Sequence, residues 1–122
     1  MLHNLRVGQF LLLEESNSIV GCVYLEKKSD RMYLGLLSID PKQQGRGLGR
    51  KLMTTAEEFA TNAGCISMDL RTISPREDIQ PFYARLGYSV TGMSPIPQEI
   101  PMVVPAHFVH MSKSLLKAQG AQ

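Results

Sequence analysis

Residues 33–53 read YLGLLSIDPKQQGRGLGRKLM, and the order of residue types in that stretch decides the architecture of the chain. An apolar, strand-like run ends at Ile39, and Asp40-Pro41 interrupts it. Glycines follow at every second position (Gly45, Gly47, Gly49), and helix-favouring residues take over from Arg50. The reading is strand, glycine loop, helix. Glycine has no Cβ, so backbone in such a loop turns tightly and lets a ligand approach closely. The amides that open the helix have no intrahelical partner, and the helix dipole favours negative charge there. Arg46, Arg50 and Lys51 add positive charge at the same point. A phosphate-bearing ligand is the natural occupant.

Downstream of the loop, Leu48, Leu52, Met53, Ala56, Phe59, Ala60 and Ala63 recur at three-to-four spacing, which predicts an amphipathic helix from about Gly47 to Asn62, closed by Gly64. Ile66 to Ile73 alternates, with Ile66, Met68, Leu70 and Thr72 on one face and Ser67, Asp69, Arg71 and Ile73 on the other, so a strand is expected there, parallel to the one before the loop. Ser74 and Pro75 read as N-cap and first turn of a second helix, with Glu77 as capping-box partner, ending near Leu86 at Gly87. Tyr88 to Thr91 begins another strand. Pro95, Pro97, Pro101 and Pro105 then punctuate the chain too closely for a helix or a long central strand. Ala106 to Met111 is a last strand, and Lys113 to Gln122 a polar, frayed tail.

Upstream, Gln9 to Glu14 and Ile19 to Lys27 read as a hairpin about a polar turn, and Met32 to Ile39 as a third strand of an antiparallel meander, so apolar that burial on both faces is expected. The fold class is therefore mixed α/β (α+β): a twisted, mostly antiparallel sheet with helices on its faces and one parallel junction around the loop and its helix.

The chain has 122 residues, 43% hydrophobic and 20% charged, with a net charge of +2. That suits one domain over residues 1–122, burying roughly two-thirds of the surface its unfolded form exposes. Lys and Arg are scattered without an aromatic-rich basic stripe, so no nucleic-acid partner is expected. No apolar run approaches the ~18 residues of a membrane span and no signal peptide is evident, so neither a membrane partner nor export is expected, and a cytoplasmic location is the default expectation. Cys22 and Cys65 fit no Cys-x-x-Cys or Cys/His spacing; they read as reduced core thiols, and no metal site is expected.

Spacing sorts the known phosphate loops. In a dinucleotide loop the third glycine would fall where Arg50 stands, and a P-loop would need Gly-Lys-Ser/Thr where the chain has Arg50-Lys51-Leu52. What remains is Gln44-x-x-Gly47-x-Gly49 directly after a strand and Asp-Pro, which resembles the acetyl-CoA loop of the GNAT superfamily of N-acetyltransferases; a plain glycine-rich strand-to-helix turn is the bland alternative. A second segment, Phe82-Tyr83-Ala84-Arg85-Leu86-Gly87-Tyr88, resembles the family's Phe-Tyr-x-x-Leu-Gly-Phe/Tyr signature. With both motifs in order and a strand between them, the resemblance covers roughly Val20 to Ser112.

The resemblance implies acetyl-CoA as acyl donor and an amine, small or peptidic, as acceptor, without metal. It implies backbone pairing of Leu37, Ser38 and Ile39 with the pantetheine arm. The pyrophosphate would be held by Gln44, Gly45, Arg46, Gly47, Leu48, Gly49 and Arg50. Tyr83 would be the general acid that protonates the departing thiolate, pointing to the cofactor while Phe82 packs inward. An amide near Leu37 would stabilise the oxyanion. Two positions depart from the pattern. Arg76 stands where many members have a cofactor-contacting asparagine, and Arg71 where several have a glutamate base. No base is therefore named; Glu26, Asp69, Glu77, His107 and His110 are the other titratable candidates, each also readable as a surface or structural residue. Arg71 facing the acceptor would suit a carboxylate-bearing substrate, and a salt bridge to Asp69 on the same face is the competing reading. Family domains open with a strand and two helices over the acceptor site, whereas this chain begins close to the second strand. The expectation is either an open site or a cover from a partner, and a homodimer is favoured. Two rivals stand beside catalysis: a non-catalytic acyl-CoA-binding module, and an interaction subunit of a larger acetyltransferase.

Overall fold

The structure, a computed structural model, describes residues 2–4, 8–74, 79–102 and 104–116. Its elements run β1 (Leu2–Asn4), β2 (Gln9–Glu15), β3 (Ser18–Lys28), β4 (Arg31–Ile39), a 3-10 turn (Pro41–Gln43), α1 (Leu48–Asn62), β5 (Ser67–Ser74), α2 (Ile79–Arg85), β6 (Ser89–Pro95) and β7 (His107–Ser114). The class is the expected mixed α/β one, mostly antiparallel with one parallel pair. By contacts the chain divides into two compact units, Met1–Met68 with Ser114–Gln122, and Asp69–Lys113.

In the first unit the strand order is β1-β2-β3-β4, then β5, whose first residues Ser67 and Met68 belong here. β1 through β4 are antiparallel neighbours, while β4 and β5, joined through α1, form the parallel pair. The β2–β3 hairpin closes with Ser16 and Asn17 at φ 50° and 66°, the positive pair that matches strand twist in a two-residue loop. α1 lies over one face of the meander. Leu48, Leu52, Met53, Ala56 and Ala60 are buried on it, against Val23, Leu25, Met32 and Leu34 of the strands. The helix leaves through Gly64 at φ 86°, with Cys65 N–H bonded to the Ala60 carbonyl and Gly64 N–H to that of Thr61, the double bond pattern that satisfies a helix's last carbonyls. The expected glycine stop is there. Cys65 is buried at 4% exposure, and burial pushes its thiol pKa up, so it stays a protonated core thiol.

β4 corrects one expectation. Met32 and Leu34 are buried, but Leu36 is 47% exposed and Ser38 is exposed too. The register explains it: Leu25 pairs with Leu34 and Tyr24 with Leu36, so Gly35 is an extra residue, a β-bulge. A Cβ on Gly35 would stand 2.8 Å from the Tyr24 ring, so only glycine fits under that aromatic. Within the first unit, α1 packs on one face of the strand, and the described residues of that unit leave Leu36 and Ser38 uncovered on the other.

The second unit has strand order β5-β7-β6, with β6 and β7 antiparallel. β5 alternates as read from Met68 onward: Met68, Leu70 and Thr72 are buried, Arg71 and Ile73 exposed, while Ser67, expected on the other face, is buried too. Ile66 departs, at 37% exposure, because it precedes the strand in a turn where its amide bonds the Asp30 carbonyl and its carbonyl accepts from Leu115. α2 closes through Gly87 at φ 101°, again with two bonds, Tyr88 N–H to the Tyr83 carbonyl and Gly87 N–H to that of Ala84. The capping roles of Pro75 and Glu77, and the position of Arg76, fall outside the described residues. β6 continues past Thr91 to Pro95, its last residue, and β7 runs to Ser114, beyond the expected start of the tail. An end strand tolerates proline because its outer N–H is not needed in the ladder.

Candidate active site

The loop is built from its two ends. Asp40 donates its amide to the Val20 carbonyl at 2.8 Å, anchoring the loop to β3, and its carboxylate accepts the Lys42 amide at 3.0 Å, capping the 3-10 turn. Gln44 is extended, then Gly45 and Gly47 take φ 88° and 76°, left-handed conformations that any Cβ disfavours. A Cβ at either would meet nothing within 4 Å. Glycine is needed there for its torsions, and open space lies above. Gly47 is the N-cap of α1, with no side-chain cap and no acidic residue in the first turn. The first helical bond runs from Lys51 N–H to the Gly47 carbonyl at 3.1 Å. The amides of Leu48, Gly49 and Arg50 therefore precede the helical ladder, in a field that favours an anion. Leu48 turns its side chain inward at 6% exposure.

The Arg46 side chain is held within the chain. Its guanidinium donates to both Glu15 oxygens, at 3.0 and 3.4 Å, and to the Gln43 side-chain oxygen. The charge ties loop to hairpin, an exposed pair worth about 0–1 kcal/mol. No local signal could have found Glu15, which lies 31 residues away. Leu37, Ser38 and Ile39 are the last residues of β4, paired on one edge with Val23, Cys22 and Gly21.

In the second unit α2 reverses one expected orientation: Tyr83 is 5% exposed, and Phe82 is the half-buried one. Tyr83 meets Phe82 and Tyr88 edge to face, with ring centroids 5.1 and 5.8 Å away. Burial raises its phenol from the ordinary 10.0 to about 12. At neutral pH the hydroxyl holds its proton.

The strands of this unit have two distinct faces. Under α2, Ser74, Gln80, Ala84, Tyr88, Val109 and Met111 line part of an open cavity of about 580 Å³, with His107 also in its wall. The other face carries polar pairs. Ser112 donates to Asp69 at 2.7 Å, Ser94 Oγ and His110 Nε2 share a hydrogen bond of 2.7 Å, and the Arg71 guanidinium lies over the Phe108 ring at 4.0 Å. Asp69 and Arg71 thus have different partners across the strands. Phe108 and Ser94 were not singled out from sequence; only the β6–β7 register, which sets Ser94 opposite Phe108, brings them in. Among the other base candidates, Glu26 lies 3.9 Å from Lys28, on β3; Glu77 is outside the described residues.

Residues 2–88 match the acetyltransferase (GNAT) family. Acetyltransferase Atu2258 of Agrobacterium fabrum is 30% identical over 78 residues, 64% of this chain and 56% of that protein. The chain spans about half the length of the curated relatives it matches, 41% to 56%. An Elizabethkingia anophelis GNAT family acetyltransferase with acetyl-CoA bound superposes with a TM-score of 0.81 at 16% identity, over 88% of this chain and 76% of that one. The ribosomal-protein-S18-alanine N-acetyltransferase of Escherichia coli gives 0.81 at 16%, over 94% and 74%. At such identities the structures speak for the fold, and the sequence match, running from β1 through α2, speaks for descent. The loop that opens α1 and the aromatic turn that closes α2 are thus parts of one inherited pattern, and the chain belongs to the acetyltransferase (GNAT) family.

Proposed function

We propose that the chain is a single acetyltransferase domain that passes the acetyl group of acetyl-CoA to a primary amine by direct attack in a ternary complex. The observation that carries this reading is the loop: two left-handed glycines opening onto a helix start capped by backbone alone, with no acid in its first turn. That is a cradle for pyrophosphate oxygens. Family membership and a relative solved with acetyl-CoA support the same ligand. In this reading Gln44 to Arg50 hold the pyrophosphate, with Arg46 acting through its backbone while Glu15 holds its side chain. The backbones of Leu37, Ser38 and Ile39 take the pantetheine arm. The amine nitrogen attacks the thioester carbonyl, the carbon–sulfur bond breaks, Tyr83 gives its proton to the departing sulfur, and water takes the ammonium proton.

We also infer a cytoplasmic homodimer. Exposed Val90, Met93, Ile100, Met102 and Val104 in the second unit support self-association, and Cys22 and Cys65, both unbridged, suit a reducing compartment. Light scattering at two concentrations tests the dimer; a monomer mass at both rejects it.

Calorimetric titration with acetyl-CoA and with CoA, followed by thiol release over an amine panel, tests the function. Binding with turnover is expected, and Tyr83→Phe should keep binding while slowing turnover by roughly 10²-fold or more. Binding without turnover on any amine would favour the non-catalytic acyl-CoA module, a reading to which the deep burial of Tyr83 lends some weight.

A further inference from the structure

We propose that Arg71, stacked on Phe108, is a carboxylate subsite, and that the acceptor is an amine that also bears a carboxylate, of amino-acid type. The proposal rests on the acetyl-transfer reading for the word acceptor; the subsite itself rests on the second unit alone.

Three observations converge on it. The Arg71 side chain is exposed, yet its guanidinium is set over the Phe108 ring at 4.0 Å. A guanidinium that lies face-on over a ring keeps its five N–H donors around the edge, in the plane where a carboxylate binds with two parallel bonds. The acid nearest in sequence on the same face, Asp69, takes the Ser112 hydroxyl at 2.7 Å, and among the described residues Arg71 reaches across to the Phe108 ring of β7. The remaining pair on that face, His110 with Ser94 at 2.7 Å, can orient a polar substrate but adds no fixed negative charge to compete for the arginine. The face thus presents one preset cation beside hydrogen-bonding groups, with the Asp69 carboxylate engaged by Ser112. Presetting matters because a free arginine loses rotamer freedom when it binds, and the ring has already restricted it.

The test uses matched probes that differ only in the charge read by Arg71: N-acetylglycine and N-acetylglycinamide, titrated at constant ionic strength and followed by the Arg71 side-chain Nε–H resonance. The acid is expected to bind at least about tenfold more tightly than the amide, the size of one charge-assisted contact, and to shift that resonance. Arg71→Gln should abolish the difference. Arg71→Lys should keep only part of it, because an ammonium lacks the fork. Phe108→Leu should weaken acid binding while leaving amide binding as it was. Equal affinities, no binding of either probe, or an acid preference that survives Arg71→Gln overturns the proposal. Arg71 is exposed, so thermal melts of the Arg71 variants should match the parent. Acid preference without thioester turnover would keep the subsite and remove the acetyl-transfer reading; turnover on simple amines without acid preference would do the reverse.

Discussion

Replacing Gly47 is the sharpest perturbation of the loop, because crowding and torsion separate cleanly there. A Cβ at Gly47 meets nothing within 4 Å, so a larger side chain has room. The difficulty is φ 76° with ψ 16°, a conformation that costs an L-residue about 1–2 kcal/mol and a β-branched one more. Valine will therefore relax toward negative φ, rotating the peptide that leads into Leu48 and turning the first amides of α1 away from their present direction. If those of Leu48 and Gly49 each make a charge-assisted bond to pyrophosphate, worth about 1.5–3 kcal/mol, losing both removes about 3–6 kcal/mol. Affinity for acetyl-CoA should then fall by roughly 10²- to 10⁴-fold. Asparagine, which tolerates left-handed backbone, should stay within about tenfold of the parent at this position. Calorimetry with acetyl-CoA reads the affinities, and urea unfolding of the apoprotein reads the strain separately. Gly47→Val binding as tightly as the parent, or Gly47→Asn losing as much as Gly47→Val, would refute the reasoning that torsion at the N-cap aims the amides.

Buried polar atoms give two more expected outcomes. Tyr83 titrates near 12 folded and near 10 unfolded, so its contribution to stability is full below pH 10 and disappears as pH rises through 12. At pH 11 the parent should have lost about 1.4 kcal/mol more, relative to pH 8, than Tyr83→Phe, measured by urea midpoints; parallel losses would remove the burial argument. The Thr72 hydroxyl is buried without a hydrogen-bond partner among the described residues, and Thr72→Val should raise stability by about 1 kcal/mol. A less stable valine variant would mean the hydroxyl has a partner.

Much of the fold was legible because its punctuation is local. The glycine torsions, the two glycine-closed helix ends and the alternation of β5 from Met68 onward each depend on a few neighbouring residues, and all stand where the sequence put them. What was not legible depends on pairing at a distance. β1 is three residues long, too short to show any period. The Arg46–Glu15 pair needs the hairpin brought to the loop, and the Arg71–Phe108 contact needs a strand register that no spacing announces. The order of Phe82 and Tyr83 was missed for another reason. Adjacent residues on a helix of only seven differ by a fraction of a turn, and Tyr88, brought back by the closing glycine, settles against Tyr83 and draws it inside.

The bulge at Gly35 gives β4 two reading frames. Ahead of it the even-numbered residues Met32 and Leu34 turn to the core; beyond it Leu36 and Ser38, even-numbered too, turn to the outside, while Leu37 and Ile39 are the more covered. Parity therefore carries no information across residue 35. Deleting that one glycine would merge the frames and exchange the side chains standing at the threshold of the loop, without altering any of them. An insertion or deletion on the turn side of Gly35 would likewise have to be offset there for the end that meets the glycine loop to keep its facing.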